Sequence, residues 1–416
     1  MDNTTTIFEE KDSTPKNFLP KEFWHFVSAR FFFTLGVRMI TTIVIYQVFH
    51  LSNTYMVGIA GLTEFLPAVL TALYAGHYID THDKKKILVS AYAFYFLCAV
   101  ILAITSMKFV ALSANAELTF VLCVVFATGI IRSFSQPAAN SMIAAIVPRE
   151  SLQKAISINS SSYLTSSISG HATGGLLIAL LGISNAYFVA AALLITAGSF
   201  AIQLKPKPPF QQNNKEPMIQ AIQKGFSYVW QTKPLLGVIS LDLFAVLFGG
   251  ATAFIPEIAE NVLHTGPIGY GFLNAAMDIG SLTSILILLA TPMKKKQGLK
   301  MLLAVAGFGI FIIVFGLSKV YWLSFLALAG AGFFDGISVV VRGTISQLYT
   351  PDHLRGRVSS INMIFINSSN ELGQFESGVT SRIFGTLPAV IFGGVMSVAV
   401  VVGTWAGFPK LRKIEY

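Results

Sequence analysis

Two carboxylates in an otherwise apolar part of the chain are the first candidates for chemistry. Glu371 and Glu376 lie in the polar stretch 367–378, which follows the apolar run 361–366. They are five positions apart, which places them about 140° apart around a helix, so they do not form one paired-carboxylate site. We expect one of them to face a cavity and exchange protons. The other should stabilise helix packing or cap a helix end. For Glu371, structural hydrogen bonding is the alternative.

Further ionisable side chains lie within apolar runs, where a charge at the bilayer centre costs at least about 2.5–3.5 kcal/mol and usually has a function. They are Arg30, Arg38, Glu64, Arg132, His171, Asp242, Glu257, Asp278, Asp335, Arg342 and Arg382. Of these, the candidates for proton coupling or substrate binding are Arg30, Glu64, Arg132, Asp242 and His171. His171 could relay protons or bind an anionic solute, or be a hydrogen-bonded core histidine. Arg30 could either form a structural ion pair or contact the ligand.

Composition indicates a membrane protein of many spans. Of 416 residues, 54% are hydrophobic and only 12% are charged, whereas a soluble chain has about 25% charged residues. The two cysteines, Cys98 and Cys123, lie in apolar runs and do not suggest a disulfide framework. The chain has no P-loop motif, no metal-site spacing and no Gly-x-Ser-x-Gly elbow. We therefore expect no enzyme activity, no cofactor and no metal.

Twelve apolar runs of about membrane length alternate with polar connections. They cover roughly 27–50, 54–80, 86–107, 118–147, 152–181, 183–204, 235–262, 267–291, 299–317, 320–349, 354–384 and 386–408. Of the 29 Lys and Arg residues, 22 fall in connections on one side, only Lys108 and Lys319 on the other, and five within the runs. Positive connections stay in the cytoplasm, so both termini should be cytoplasmic. The net positive charge of the chain thus reflects membrane topology and not nucleic-acid binding.

These runs divide the chain into two halves. We expect a disordered tail at 1–20, a six-helix bundle at 21–204, a linker at 205–233, a second bundle at 234–409 and a tail at 410–416. The linker has apolar residues at helical spacing from Met218 to Trp230. This pattern is typical of an amphipathic helix on the inner membrane surface, and a soluble linker helix is the alternative.

The halves repeat each other with a shift of 203 residues. Asn159 falls on Asn362, Gly170 on Gly373, and Gly175 on Gly378. We assign these six residues to helix packing that the repeat relates, because glycines allow close helix contact in membranes. Repeated halves with a site between them are typical of transporters that work by alternating access.

A charged connection, residues 76–86, follows the second run. Gly76, Asp80 and the pair Lys84-Lys85 resemble the signature loop of the major facilitator superfamily, Gly-x-x-x-Asp-Arg/Lys-x-Gly-Arg-Arg/Lys. Thr81 and Asp83 depart from that pattern. The resemblance implies an all-α polytopic membrane protein with twelve transmembrane helices in two pseudo-symmetric six-helix bundles. It also implies that this connection is a conformational latch, with Asp80 near the start of the eleventh helix. Asp80 could also pair with Arg357, so the latch residues are Gly76, Asp80, Lys84, Lys85 and Arg357. A solvated anchor on the positive side of the membrane is the alternative.

A second resemblance is to the drug–proton antiporter branch that includes enterobactin exporters. It is carried by Gln136-Pro137-Ala138, by the segment 147–152, and by Ser369 to Gly378. His171 follows Gly170 where many exporters have proline, which weakens the transfer of their helix-bend mechanism to this chain but not the transfer of the fold.

The resemblance implies proton-coupled export of a siderophore, drug or similar amphipathic molecule by a monomer in the inner membrane. Its partners would be the small-molecule substrate, protons and the lipid bilayer. A small-solute or siderophore uptake symporter is one alternative. A non-transporting membrane sensor or scaffold is the other.

Overall fold

The computed structural model describes residues 19–110, 112–207, 218–291, 293, 295–351, 354–409 and 411–415. Residues 1–18 of the predicted tail at 1–20, and 208–217 of the predicted linker, lie outside these residues. Thirteen helices make up nearly all of the described chain. Those of the N-terminal half are α1 (Lys21–Leu51), α2 (Thr54–Thr81), α3 (Lys84–Thr105), α4 (Ala114–Ile146) and α5 (Leu152–Ile202). The linker contains α6 (Met218–Gln231).

The C-terminal half begins with a helix that is interrupted midway. After α7 (Lys233–Gly249), the chain passes through a 3-10 turn, the single-turn α8 (Ile255–Glu257) and a π-helical turn (Ile258–Val262). The remaining helices are α9 (Gly266–Ala290), α10 (Gln297–Leu317), α11 (Tyr321–Leu348), α12 (Arg355–Phe384) and α13 (Thr386–Gly407).

The helices account for the twelve predicted crossings. Among the described residues, ten helices are long and apolar enough to cross a membrane. One of them, α5, has 51 residues, or about 77 Å at 1.5 Å per residue, and breaks at Gly182, whose φ is 79°. It therefore supplies two crossings. The twelfth is α12, which at 30 residues is long enough to cross but is less apolar than the other ten because it contains the polar stretch 367–378.

Helix pairing confirms the predicted two-bundle architecture. In the N-terminal half α1 packs along α5 and α2 along α4, and in the C-terminal half α9 packs along α11 and α10 along α13. The halves meet where α2 lies against α12 and α5 lies against α9. The second helix and fifth helix of one half thus contact the fifth and second crossings of the other, as a pseudo-twofold axis requires.

The two ends of the bundle differ. We call the end with Lys21, Gly407 and α6 the terminal end, and the opposite end, with Gly182 and Gly385, the far end. At the far end, Thr54 donates a hydrogen bond to Glu257, and His50 Nε2 lies 3.9 Å from Glu260 Oε2. These contacts join the halves. At the terminal end a polar cavity lies inside the N-terminal half.

The linker helix α6 lies at the terminal end against α12. A Cβ on Gly225 would come within 2.9 Å of Ile361 Cδ1 and 3.1 Å of Arg357 Cβ. Phe226 and Trp230 stack with ring centroids 6.0 Å apart, and their side chains are 46% and 64% exposed. An apolar surface of this kind suits the predicted position at the membrane interface, which stays a prediction.

Candidate functional site

The polar stretch of α12 is turned towards the interior of the bundle. Glu371 is 8% exposed, and Ser369 and Ser377 are fully buried. Ser377 donates to the carbonyl oxygen of Gly250 at 2.8 Å, where α7 ends. The side chain of Asn367, in the same stretch, lies outside the described set. Burial keeps the Glu371 carboxylate away from lipid, where its charge would be costly.

One ionic cluster joins the halves through three helices. The Arg132 guanidinium of α4 forms an ion pair with Glu371 of α12, and its Nη1 lies 3.2 Å from Glu64 Oε1 of α2. We call this the Glu64–Arg132–Glu371 cluster. Oε2 of Glu371 is buried without a hydrogen-bond partner among the described residues. With both carboxyls ionised the cluster has a net charge of about −1, so one proton would neutralise it.

Glycines set the helix spacing around this cluster. A Cβ on Gly129 of α4 would lie 2.2 Å from the Glu64 carbonyl oxygen, and a Cβ on Gly61 of α2 would lie 2.3 Å from the Gln374 side chain. Because these positions lack a Cβ, α4 and α12 both approach α2 closely, and their long side chains can meet. Glu376 is half-buried and does not belong to the cluster, as the 140° separation predicts.

A second polar cluster lies at the other interface between the halves, where α1, α5 and α9 meet. Asp278 of α9 accepts a hydrogen bond from Ser167 at 2.5 Å and lies 3.9 Å from His171 Nε2. The Nδ1 of His171 is 2.7 Å from the Thr42 hydroxyl. We call these four residues the His171–Asp278 cluster. His171 is thus hydrogen-bonded, which suits both of its predicted roles.

Asp278 is a functional-site residue that sequence reasoning misses, although it is one of the ionisable residues within the apolar runs. The pseudo-twofold relation between the halves could have identified it. Glu371 lies at the α2–α12 interface, so a polar pair is also expected at the equivalent interface of α5 and α9. Because His171 lies on α5, its partner in that pair is expected on α9, where Asp278 lies.

A polar cavity of about 270 Å³ lies between α1, α4 and α5 near the terminal end. It is lined by Arg30, Gln136, Asn140, Asn159, Ser160, Tyr163 and Leu164; we call it the Arg30 cavity. Arg30 Nη1 donates to Asn140 Oδ1 at 3.2 Å. Deeper in α1, Arg38 Nη2 donates to the Tyr163 hydroxyl at 2.5 Å. Neither arginine forms an ion pair with an Asp or Glu in the described part of the chain.

Asp242 lies apart from these clusters. It forms an ion pair with Arg342, which connects α7 to α11 within the C-terminal half, and both residues are 5% exposed. This arrangement resembles a structural ion pair more than a site open to solute. Its predicted part in coupling or binding stays a prediction.

The residues of the predicted latch lie at the terminal end. Asp80 is exposed at the end of α2, Lys84 is buried, and Arg357 is half-buried in the first turns of α12. Asp83, the departure from the signature, caps α3 by accepting from the Lys85 backbone N–H at 2.9 Å. It also accepts from the backbone N–H of Lys207 at 2.9 Å. Asp83 therefore ties the start of the linker to the loop that contains Gly76 and Asp80.

The repeat-related glycines occupy equivalent contacts in the two halves. A Cβ on Gly170 would lie 2.7 Å from the Leu35 carbonyl oxygen of α1, and one on Gly373 would lie 2.9 Å from the Leu247 carbonyl oxygen of α7. Between the halves, Gly175 faces Gly271 of α9, and Gly378 faces Gly58 of α2. Asn159 and Asn362 also correspond, since the Oδ1 of each is buried without a partner among the described residues.

Comparisons with known proteins agree with this architecture. A family model described as the Major Facilitator Superfamily matches residues 26–374. The enterobactin exporter EntS of Shigella dysenteriae serotype 1 (strain Sd197) is 25% identical over 315 residues, which cover 74% of this chain and 73% of that protein. The enterobactin exporter EntS of Citrobacter koseri is 24% identical over 314 residues, with the same coverage.

Solved structures share the fold at low sequence identity. A D-xylose–proton symporter superposes with a TM-score of 0.75 at 12% identity, covering 95% of this chain and 99% of that one. The inward open conformation of the xylose transporter XylE from E. coli gives a TM-score of 0.69 at 13% identity, covering 93% and 96%. With its family model, its paired six-helix halves and its polar clusters between them, this chain belongs to the major facilitator superfamily.

Proposed function

We propose that this transporter works by alternating access and exports a siderophore, drug or similar amphipathic small molecule in exchange for protons. The observation that carries the proposal is the Glu64–Arg132–Glu371 cluster. It places two carboxyls and one guanidinium inside the bundle, at a contact between the two halves that must change if the halves rock.

The coupling step follows from charge. A proton on Glu371 removes its negative charge and weakens its ion pair with Arg132. The contact between α4 and α12 then loses much of its electrostatic attraction, which inside a bundle is far stronger than in water. Release of the proton restores the pair. The proton affinity of Glu371 therefore depends on the relative position of the halves, and protonation in turn changes which position is favoured. Coupling requires this mutual dependence.

Export and a siderophore substrate are supported by the similarity to proteins named enterobactin exporters. A monomer in the inner membrane with both termini in the cytoplasm is part of the same proposal. It is supported by the excess of Lys and Arg at the terminal end. In that orientation the Arg30 cavity faces the cytoplasm, the side from which an exporter takes its substrate.

The test is proton-driven flux of enterobactin in inverted and right-side-out vesicles that contain the full chain. We expect accumulation in inverted vesicles when the interior is acidified, and loss of accumulation when a protonophore removes the gradient. Accumulation only in right-side-out vesicles would favour the uptake symporter instead. If neither enterobactin nor a panel of amphipathic drugs moves in either orientation, the transport proposal is wrong and the sensor or scaffold gains support.

Coupling is tested with two matched variants on one helix. We expect Glu371→Gln to lower proton-driven flux by about tenfold or more, because it removes the titrating carboxyl from the cluster. Exchange of labelled for unlabelled substrate, which needs no net proton movement, should continue. Glu376→Gln makes the same change outside the cluster and should keep coupled flux. Wild-type coupling in Glu371→Gln would exclude the cluster as the proton site.

A further inference from the structure

Arg30 brings a positive charge to the Arg30 cavity, and no carboxylate among the described residues forms an ion pair with it. Among the described residues Arg30 donates to the neutral amide of Asn140. Arg38, deeper in α1, donates to the Tyr163 hydroxyl and also interacts electrostatically with Asp278. Of the two arginines, only Arg30 therefore lacks a carboxylate partner in the described part of the chain. Elsewhere in the bundle, the guanidiniums of Arg132 and Arg342 each face a carboxylate. An arginine inside a membrane bundle normally faces a counter-ion, so an anion that enters from outside the protein would complete this site.

The hydrogen bonds around Tyr163 leave its hydroxyl able to donate to the same ligand as Arg30. The Tyr163 oxygen accepts from Arg38 Nη2, which leaves its own O–H hydrogen free to donate into the cavity that it lines. Arg30 uses one N–H for Asn140 Oδ1, and a guanidinium has five. The cavity therefore presents donors from Arg30 and Tyr163 to a single ligand group, and planar guanidinium forks suit oxyanions.

An acceptor lies beside these donors. Asn159 lines the same cavity, and its Oδ1 is buried without a hydrogen-bond partner in the part of the chain that the structure describes. An unpaired buried acceptor is costly, and a hydroxyl on the ligand would satisfy it. Asn140 and Ser160 are exposed at the cavity wall, so a solute can reach the site.

We propose that the Arg30 cavity is the anchor site for an oxyanion on the transported molecule, with Arg30 and Tyr163 binding the anionic oxygens and Asn159 accepting from a neighbouring hydroxyl. The ligand class is thus a hydroxy acid or a molecule with such a group. This inference rests on the proposed transport function, because it identifies the substrate chemistry of that function.

Three small probes separate the contributions of charge and hydroxyl. They are 3-hydroxybenzoate, its uncharged amide 3-hydroxybenzamide, and benzoate, which lacks the hydroxyl. Binding to the purified full chain in lipid nanodiscs is measured by equilibrium dialysis of radiolabelled probe. We expect the wild type to bind 3-hydroxybenzoate about tenfold or more tightly than the amide, because charged hydrogen bonds are the stronger ones. We expect a smaller preference over benzoate, on the order of threefold.

The variants assign these preferences to residues. Arg30→Gln should lose the preference for acid over amide, Arg30→Lys should keep part of it, and Asn159→Ala should lose the preference for 3-hydroxybenzoate over benzoate. Arg412→Gln is the matched control, since Arg412 stacks on Trp405 at 4.9 Å outside the cavity, and it should bind all probes as the wild type does. The lysine variant keeps the inference testable if Arg30→Gln fails to fold.

The inference is overturned if the wild type shows no saturable binding of 3-hydroxybenzoate or binds the amide equally well. It is also overturned if Arg30→Gln keeps the preference, or if Arg412→Gln loses it to the same extent. The experiments distinguish failure of the anion-site proposal from failure of the transport proposal. Coupled flux of an uncharged drug in vesicles would support transport without the anion site, and selective binding without flux of any probe would support the site without transport.

Discussion

At the scale of single residues, the ion pair between Asp242 and Arg342 should behave as a structural element. Both side chains are buried, so removing one partner leaves the other charge unpaired in the bundle. We expect Asp242→Asn or Arg342→Gln alone to destabilise the protein by about 3–5 kcal/mol. The measurement is the temperature at which detergent-solubilised protein loses its monodisperse peak in size-exclusion chromatography.

The double variant Asp242→Asn/Arg342→Gln is the decisive control for that prediction. Because it removes both charges together, it should recover a substantial part of the lost stability, giving a coupling energy between neighbouring sites. Additive losses would contradict a direct pair. If the single variants are stable but lose proton-driven flux, Asp242 belongs to the coupling machinery after all.

The sequence could predict which ionisable residues lie in membrane-spanning helices but not which of them meet. Glu64, Arg132 and Glu371 were candidates because charges in apolar runs are costly. Their contact spans 239 positions between Arg132 and Glu371, and it depends on how the two halves pack. Periodicity along one helix contains no information on that packing. Asp278 shows the same limit, since its partner Ser167 is 111 positions away.

At the scale of helices, the glycine contact between α2 and α12 should hold the far end closed. A Cβ on Gly378 would lie 2.9 Å from the Gly58 Cα, closer than packed atoms allow, so Gly378→Ala must push the helices apart. We expect the distance between spin labels on Asn115 and Lys319, which lie in opposite halves at the far end, to shift towards larger values in double electron–electron resonance.

Gly198→Ala is the matched control for this substitution. Nothing lies within 4 Å of a Cβ at Gly198 in α5, so the same added methyl should leave the label distance unchanged. An unchanged distance in Gly378→Ala would show that the glycine contact does not control the conformation. The packing of Gly175 against Gly271 at the other interface predicts the same behaviour for Gly175→Ala.

The connection between α2 and α3 gives a second prediction at this scale. If Asp80 latches the start of α12 when the terminal end closes, Asp80→Asn should change the rate of transport even though the Glu64–Arg132–Glu371 cluster is intact. The physical reason is that an anion near a helix N-terminus gains about 0.3–1 kcal/mol. The initial rate of flux in vesicles measures the effect.

Glu150→Gln serves as the control for the latch, because Glu150 is also an exposed acid at the terminal end but lies in the connection between α4 and α5. Its flux should match the wild type. Wild-type flux in Asp80→Asn would end the latch hypothesis.

Helix boundaries show what hydropathy could and could not provide. The sequence predicted separate crossings at 152–181 and 183–204, and the structure turns the chain at Gly182 through a positive φ. The run at 235–262 was predicted as one crossing, but the structure interrupts it after Gly249 with 3-10 and π turns. Apolar composition continues through that interruption, so hydropathy contains no trace of it. Glycine does mark both places, since Gly249-Gly250 precede the interruption as Gly182 marks the turn in α5.

At the scale of the whole molecule, the structure has its halves joined at the far end and a cavity towards the terminal end. Alternating access requires that the far-end contacts separate once per cycle. Thr54 of α2 and Glu257 of α8 contact each other across the halves, so a short covalent bridge between these positions should trap this conformation. The bridge is made in a chain whose native cysteines, Cys98 and Cys123, are replaced by serine.

We expect Thr54→Cys/Glu257→Cys to lose substrate flux after treatment with a short bis-thiosulfonate reagent and to regain it after reduction. The matched control is Ser381→Cys/Thr386→Cys, whose native hydroxyls are 2.8 Å apart at the same end but within the C-terminal half. Bridging that pair should leave flux unchanged, because it joins no surfaces that must separate. Full flux in the bridged Thr54→Cys/Glu257→Cys protein would mean that the halves do not part at this contact, and the rocking of two rigid bundles would have to be abandoned.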